Sequence, residues 1–383
     1  MEQSSPLDIQ ELLDHCIGLL ADSPPDLLAC CLVARSWVQM AQSHLFRAPH
    51  ITNLKFEKDE VALKFFLTLV ASPHLIRHVR ELDLDCSNGT NPSDKYRAIS
   101  SIVFTHLETV VLMVDEQPRE DTEETITRLM GLPTLRRLGY THRHFNSPIS
   151  NSAYLLNHCS PSIRHLEVFL TIERGDSLNF VHDVVPHICI QSLRLNGRVD
   201  PLDNPRTLSL DKMLRPFNFS ELKALNLDGV LRFHEDKIPK SQIKILNIDS
   251  GWPERHSTPT ELGAFTGLWY LHLSVQGEDP RTSVIPTLHS LTCSIHTIVI
   301  SALSSPYPPL SGFVLEQMAV DYYTLIQHPM RPRTASQRRK TAFQPEIGNF
   351  FPKLVARNLF RTVWCSGHSQ AISARWREVV DQL

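Results

Sequence analysis

Along much of the chain, apolar positions recur in the order apolar-x-x-apolar-x-apolar. Val79-x-x-Leu82-x-Leu84 is the first instance, and Leu107-x-x-Val110-x-Leu112, Leu135-x-x-Leu138-x-Tyr140 and Ile163-x-x-Leu166-x-Val168 come next. Ile190-x-x-Leu193-x-Leu195, Leu222-x-x-Leu225-x-Leu227, Ile243-x-x-Leu246-x-Ile248, Leu268-x-x-Leu271-x-Leu273 and Leu288-x-x-Leu291-x-Cys293 continue the series. The central residues stand at 82, 110, 138, 166, 193, 225, 246, 271 and 291, so the steps are 28, 28, 28, 27, 32, 21, 25 and 20 residues. Alternation with a period of two predicts one short strand per step, apolar on one face. Between them, Leu63-Phe66-Leu67-Val70 and Ile126-Leu129-Met130 carry helical spacing and can cover that face. One strand and one return helix bury their apolar sides only against neighbours of the same kind, which makes a stack of repeats the expected architecture.

Both ends of the chain break this rhythm. Ile9, Leu12, Leu13, Cys16, Ile17 and Leu20 share one helical face, and Asp22-Ser23-Pro24-Pro25 interrupts it. A second helix is expected with Leu27, Leu28, Cys31 and Leu32 inward, and a third with Trp37, Met40, Ala41 and Leu45 inward. Three short helices bury too little surface to be secure alone, so they should lean on a partner or on the next domain. After Cys293, residues 311–328 read as a helix with Leu315, Met318, Ala319, Tyr322, Leu325 and Ile326 on one side. Residues 329–345 contain Arg331, Arg333, Arg338, Arg339 and Lys340 without apolar period, as in a polar loop. Phe360-x-x-Val363-x-Cys365 suits a further strand, and residues 369–382 an amphipathic helix with Ile372, Trp376, Val379 and Val380 inward, capping the stack. The expected domains are therefore 1–48, helical; 49–310, repeats; and 311–383, irregular C-terminal repeats with the basic loop and capping helix.

Pro6-Leu7-Asp8-Ile9, Leu12-Leu13 and Leu28-Ala29-Cys30-Cys31-Leu32-Val33-Ala34-Arg35-Ser36-Trp37 together resemble the F-box. Ser5 stands where that motif's leading Leu usually is, and Ala34 replaces its Ser or Cys. The repeats resemble degenerate leucine-rich repeats, with Ser87, Asp115 and Arg143 near the place of the usual Asn. The combination is similar to the large fungal F-box families. The fold class this implies is α/β: a three-helix F-box followed by a leucine-rich-repeat-like solenoid with a parallel β-sheet and outer helices. The resemblance also implies an adaptor rather than an enzyme. Its F-box would bind a Skp-type adaptor of a cullin-based, SCF-type ubiquitin ligase through Pro6, Leu7, Ile9, Leu13, Cys30, Val33, Arg35 and Trp37. Its repeats would hold a target protein for ubiquitin-dependent degradation, by proximity alone. The alternative is a repeat scaffold that binds a protein and recruits no ligase.

Composition narrows the function classes. Hydrophobic residues make up 42% and charged residues 21% of 383, a globular balance, and the net charge of −3 offers no field for nucleic acid or an anionic membrane. With 14 Gly in the chain, architectures built on Gly-rich phosphate loops are disfavoured. No apolar run approaches the ~18 residues of a membrane span. Met1-Glu2-Gln3-Ser4-Ser5-Pro6 lacks a basic n-region and an apolar h-region, so a cytoplasmic or nuclear setting with reduced thiols is expected. The eight cysteines form no Cys-x-x-Cys, and His142 with His144 lacks a third ligand, so surface histidines and no metal or cofactor are expected. Gly175-Asp176-Ser177-Leu178 matches the block of GDSL hydrolases, but the Asp-x-x-His of that family is missing, so it carries no enzyme reading. The acidic cluster Asp115, Glu116, Glu120, Asp121, Glu123 and Glu124 suits a solvated loop entering a helix.

Residues between the apolar ones of each strand point to the opposite face, which is expected to be open and to meet the target. They include Glu81, Asp83, Asp85, His165, Glu167, Phe169, Arg194, Asn196, Asn226, Asp228, Asn247, Asp249, Tyr270, His272 and Ser274. Phe169, Arg194, Asn226, Tyr270 and His272 are the candidate target contacts, because aromatic and Arg side chains dominate interface energetics.

Overall fold

The structure, a computed structural model, describes residues 10–21, 23–48, 59–86, 92–114, 119–142, 154–172, 187–199, 214–229, 238–249, 262–276, 295–303, 320–328, 360–364, 376–381 and 383. The chain is α/β and divides into two compact units. One holds Met1–Thr171 with Gly175–Ile188 and Met213–Pro216; the other holds Ile172–Arg174, Cys189–Lys212 and Phe217–Leu383.

The first unit opens with α1 (Gln10–Gly18), α2 (Pro24–Val33) and α3 (Arg35–Arg47). Pro24 and Pro25 start α2 where missing N–H groups cost nothing. Ala34 is extended, ending α2 and opening α3 in a single residue. Leu13, Ile17, Leu27, Cys30 and Ala41 form the core between these helices, with Leu20, Cys31, Trp37, Met40 and Leu45 packed against it. The expected inward face of α2 is therefore corrected: Leu27 and Cys30 point in, while Leu28 and Leu32 point out. Every residue from Leu27 to Val33 is apolar, so period alone cannot choose a face; packing on α1 and α3 does. The helices lean on the next elements of the chain, as a unit this small must. Phe46 stacks on Phe65 at 5.9 Å, and the Arg80 N–H donates to the Arg47 carbonyl.

After α4 (Asp59–Ala71), the strands β1 (Glu81–Asp85), β2 (Thr109–Val114), β3 (Arg137–His142) and β4 (His165–Ile172) alternate with α5 (Pro92–Ser100), α6 (Glu120–Met130) and a 3₁₀ turn at Tyr154–His158. Neighbours pair in parallel with Leu82, Val110, Leu138 and Leu166 side by side, so the 28-residue step in the sequence is the register of the sheet. These residues, with Leu84, Leu112, Tyr140 and Val168, are buried on one face. His142 is buried there too, not on the surface as expected. Ile126, Leu129 and Met130 of α6 are buried as expected, below an acidic first turn of Glu120, Asp121 and Glu123. On α4 the buried stripe is Ala62, Phe66 and Leu69, and Leu67 and Val70 are exposed, one residue away from the expected face.

Polar groups tie successive repeats together. Thr134 Oγ1 donates to the Leu107 carbonyl at 2.7 Å, and Ser162 Oγ, one step later, to the Leu135 carbonyl at 2.8 Å. The Arg128 guanidinium donates to the Ile99 and Ile102 carbonyls at 2.7 and 2.8 Å, giving the end of α5 the partners a helix terminus lacks.

In the second unit the strands are β5 (Ser192–Val199), β6 (Ala224–Gly229), β7 (Ile245–Asp249), β8 (Tyr270–Gln276), β9 (Ile295–Leu303), β10 (Val320–His328) and β11 (Phe360–Trp364). Each pairs in parallel with the next, and Leu193, Leu225, Leu246, Leu271 and Ile298 lie side by side. Between β6 and β7 the step is 21 residues, and a 3₁₀ turn at Lys240–Gln242 is described there. The turn before β8 passes so close that a Cβ on Gly267 would sit 2.7 Å from the Ser241 carbonyl oxygen, which only glycine permits. The strand beside β8 is Ile295–Leu303, and the expected strand at Leu288–Leu291–Cys293 lies outside the described residues. The expected helix over 311–328 is corrected as well, because Val320–His328 is a strand. Val-Asp-Tyr-Tyr-Thr-Leu-Ile is rich in β-branched and aromatic residues, and that preference outweighs an ambiguous helical period. Phe360–Trp364 is a strand, as expected. The basic segment 329–345 lies outside the described residues. Residues 376–380 are helical, with Trp376, Val379 and Val380 buried as expected. No helix among the described residues is long and apolar enough to cross a membrane.

Candidate interaction surfaces

The helical unit presents apolar side chains outward. Leu28 and Leu32, one turn apart on α2, are 57% and 88% exposed, and Val33 beside them is 64% exposed. Leu12 on α1 and Leu19 just beyond it are also exposed. Of the residues expected to meet an adaptor, Val33 and Arg35 are exposed and Trp37 is partly buried against the three-helix core. Leu13 and Cys30 are corrected: both are buried inside that core, so they set the shape of the unit instead of contacting a partner. Pro6, Leu7 and Ile9 lie outside the described residues. The outward direction of Leu28 and Leu32 carries no sequence signal, because an all-apolar stretch hides its own face.

The second surface is the strand face opposite the apolar one. In the first unit it is partly open: Glu81, Asp83, Asp85, His165 and Phe169 are all of intermediate exposure. Glu167 is buried and faces Arg137 at 3.6 Å, with side-chain exposures of 6% and 12%. A buried carboxylate needs such a partner, since an uncompensated buried charge is strongly destabilising.

In the second unit the same face is closed at its central positions, while Asn196 on β5 is of intermediate exposure. Arg194, Asn226, Asn247 and His272 lie side by side on β5 to β8, and each is at most 2% exposed. Tyr270 is buried as well. The expectation of an open face is thus corrected for Arg194, Asn226, Tyr270 and His272, while Phe169 remains partly open. The covering element is visible: Ala224, Ile245, Tyr270 and Val299 form one apolar cluster with Trp376, Val379 and Val380. The C-terminal helix therefore lies on this face, whereas its amphipathic pattern suggested the end of a stack. Among the described residues neither amide atom of Asn226 has a hydrogen-bond partner, and the same holds for Asn247 Oδ1. A buried polar group left unpaired costs about 1–3 kcal/mol.

Beyond this face, Trp269 is exposed and stacks on His296 at 5.2 Å. The Cys159 thiol is buried, and burial pushes its pKa well above the usual range, so it is no nucleophile at neutral pH. Among the described residues no group of three or more His, Cys, Asp or Glu could hold a metal ion. The block Gly175-Asp176-Ser177-Leu178 lies outside the described residues. No protein-family model matches the chain, and no curated protein is significantly similar to it.

Proposed function

We propose that this chain is a substrate-recognition adaptor of a cullin-based ubiquitin ligase, with α1 to α3 binding a Skp-type adaptor and the strands holding a target protein. Under this reading the helices are an F-box and the strands a leucine-rich-repeat-like solenoid. The observation that carries it is the outward apolar side of α2. Leu28, Leu32 and Val33 stand exposed, although the unit already has a complete core in Leu13, Ile17, Leu27, Cys30 and Ala41. These outward residues belong to the very stretch, Leu28 to Trp37, that resembles the closing signature of the F-box. Burying a Leu from water stabilises a complex by about 1.5–3 kcal/mol, so two of them can act as anchors.

The test is capture of a purified Skp-type adaptor by the full chain. The double variant Leu28→Asp with Leu32→Asp should lose capture by tenfold or more. Its thermal transition should stay in place, because both positions are exposed. Pro6→Ala with Ile9→Asp should lose capture too. Undiminished capture by both double variants overturns the adaptor assignment. A native chain that captures no adaptor but retains a target is the scaffold instead.

A further inference from the structure

The helix at residues 376–380 occupies a face whose chemistry does not match it. Trp376, Val379 and Val380 rest on Ala224, Ile245, Tyr270 and Val299, supplied by β6, β7, β8 and β9 of the same unit. By strand alternation the same face carries Asn226 and Asn247, in register with one another. Asn226 is 0% exposed, and among the described residues neither of its amide atoms has a hydrogen-bond partner; Asn247 Oδ1 is likewise unpartnered there. A face made only to be sealed by its own helix would carry apolar residues or paired amides, because unpaired buried amides oppose the covering. The helix satisfies the apolar positions of the face and leaves the Asn226 amide and Asn247 Oδ1 without a partner among the described residues.

We infer that this face is a docking site for an amphipathic helical segment of a partner protein. Such a segment carries an aromatic and two aliphatic anchors at i, i+3 and i+4, as Trp376, Val379 and Val380 do. It also brings hydrogen-bonding side chains to the Asn226 amide and Asn247 Oδ1, which the described residues of the chain's own helix do not. The C-terminal helix is the resident occupant, and a partner must displace it. Its occupancy lowers the apparent affinity of the open face by the fraction of molecules that are open. The inference deepens the target-binding role proposed for the strands and does not involve adaptor recruitment. Its experiment is therefore read without the adaptor, and the two fail separately.

The probe is a fluorescein-labelled peptide of residues 369–383 of this chain, titrated against the full-length protein. Native protein should bind it at least tenfold more weakly than full-length Trp376→Ala with Val380→Asp, whose face is vacated. Adding Ala224→Glu to that variant, on the face itself, should abolish the binding. Equal binding by the native and vacated proteins, or binding by neither, overturns the proposal. So does binding that persists with Ala224→Glu. A second measurement serves if the vacated variant does not fold. A protease site inserted after Gly367 of the otherwise native full chain is cleaved, and excess peptide is added. Exchange of the fragment, with the body keeping its melting transition, supports a resident occupant. A body that unfolds as the fragment leaves, or a fragment that never exchanges, shows a fixed core element and overturns it.

Discussion

The two units share one arithmetic and differ in one face. In both, parallel strands line up their central aliphatic residues side by side and bury them. On the other side, β1 to β4 leave Glu81, Asp83, Asp85, His165 and Phe169 partly open, whereas β5 to β8 bury Arg194, Asn226, Asn247, Tyr270 and His272. Strand alternation treats these positions as equivalent. In the second unit a segment about a hundred residues beyond β8 places Trp376, Val379 and Val380 on this face. Side-chain direction is thus a local property of a strand, while exposure depends on what the rest of the chain places there.

Several changes sharpen this contrast. The largest effect is expected in the first unit from Glu167→Gln, which leaves the largely covered Arg137 side chain, 12% exposed, without its counter-charge. A loss of about 3 kcal/mol in denaturant unfolding is expected. A change of less than about 0.5 kcal/mol would show that the pair contributes nothing. Next, Tyr270→Ala should cost about 2 kcal/mol or more, since truncating a buried aromatic is among the most damaging core changes. Phe169→Ala, at a partly open position of the same kind of face in the first unit, should cost less than about half of that. Equal costs would erase the distinction between the faces. Asn226→Leu should change stability in the opposite direction, raising it by about 1 kcal/mol, because it removes an unpaired buried amide at similar volume. The same substitution should slow displacement of the C-terminal helix.

The smallest effect is a pH dependence confined to the first unit. Burial, then the neighbouring Arg77, His74 and Arg80, hold the His78 pKa below its usual value. The unfolded chain therefore takes up the proton first as pH falls. Stability from this group is fully present above about pH 6.5, declines below it, and levels off once the folded state also protonates. His78→Gln should flatten that part of the stability profile. An unchanged profile would remove His78 as its source.

Much of the strand pattern is legible in the sequence because one signal repeats. Leu82, Val110, Leu138 and Leu166 stand 28 residues apart and become lateral neighbours, so spacing translates directly into register. Helix faces are less legible where apolar residues crowd all sides, as on α2, or where two stripes compete, as on α4 with Leu67 and Leu69. Val320–His328 misleads because its apolar residues fit both periods, and only pairing with β9 decides the matter. The inward direction of Trp376, Val379 and Val380 is legible, since amphipathic spacing shows that a helix is covered. It does not show what covers it, because that contact joins residues more than seventy positions apart. For the same reason the closed face behind Arg194, Asn226, Tyr270 and His272 leaves no trace in local pattern.

The most direct measurement is histidine modification by diethyl pyrocarbonate on the native full chain, read by peptide mass spectrometry. His165 and His272 flank the central leucines Leu166 and Leu271 on the polar side of their strands, one partly open and the other buried. The account predicts rapid modification of His165 and protection of His272. It further predicts that Trp376→Ala with Val380→Asp brings His272 to the rate of His165 while His165 itself is unchanged. Equal reactivity of the two histidines in the native chain would contradict it, as would a His272 that stays protected once the C-terminal helix is displaced.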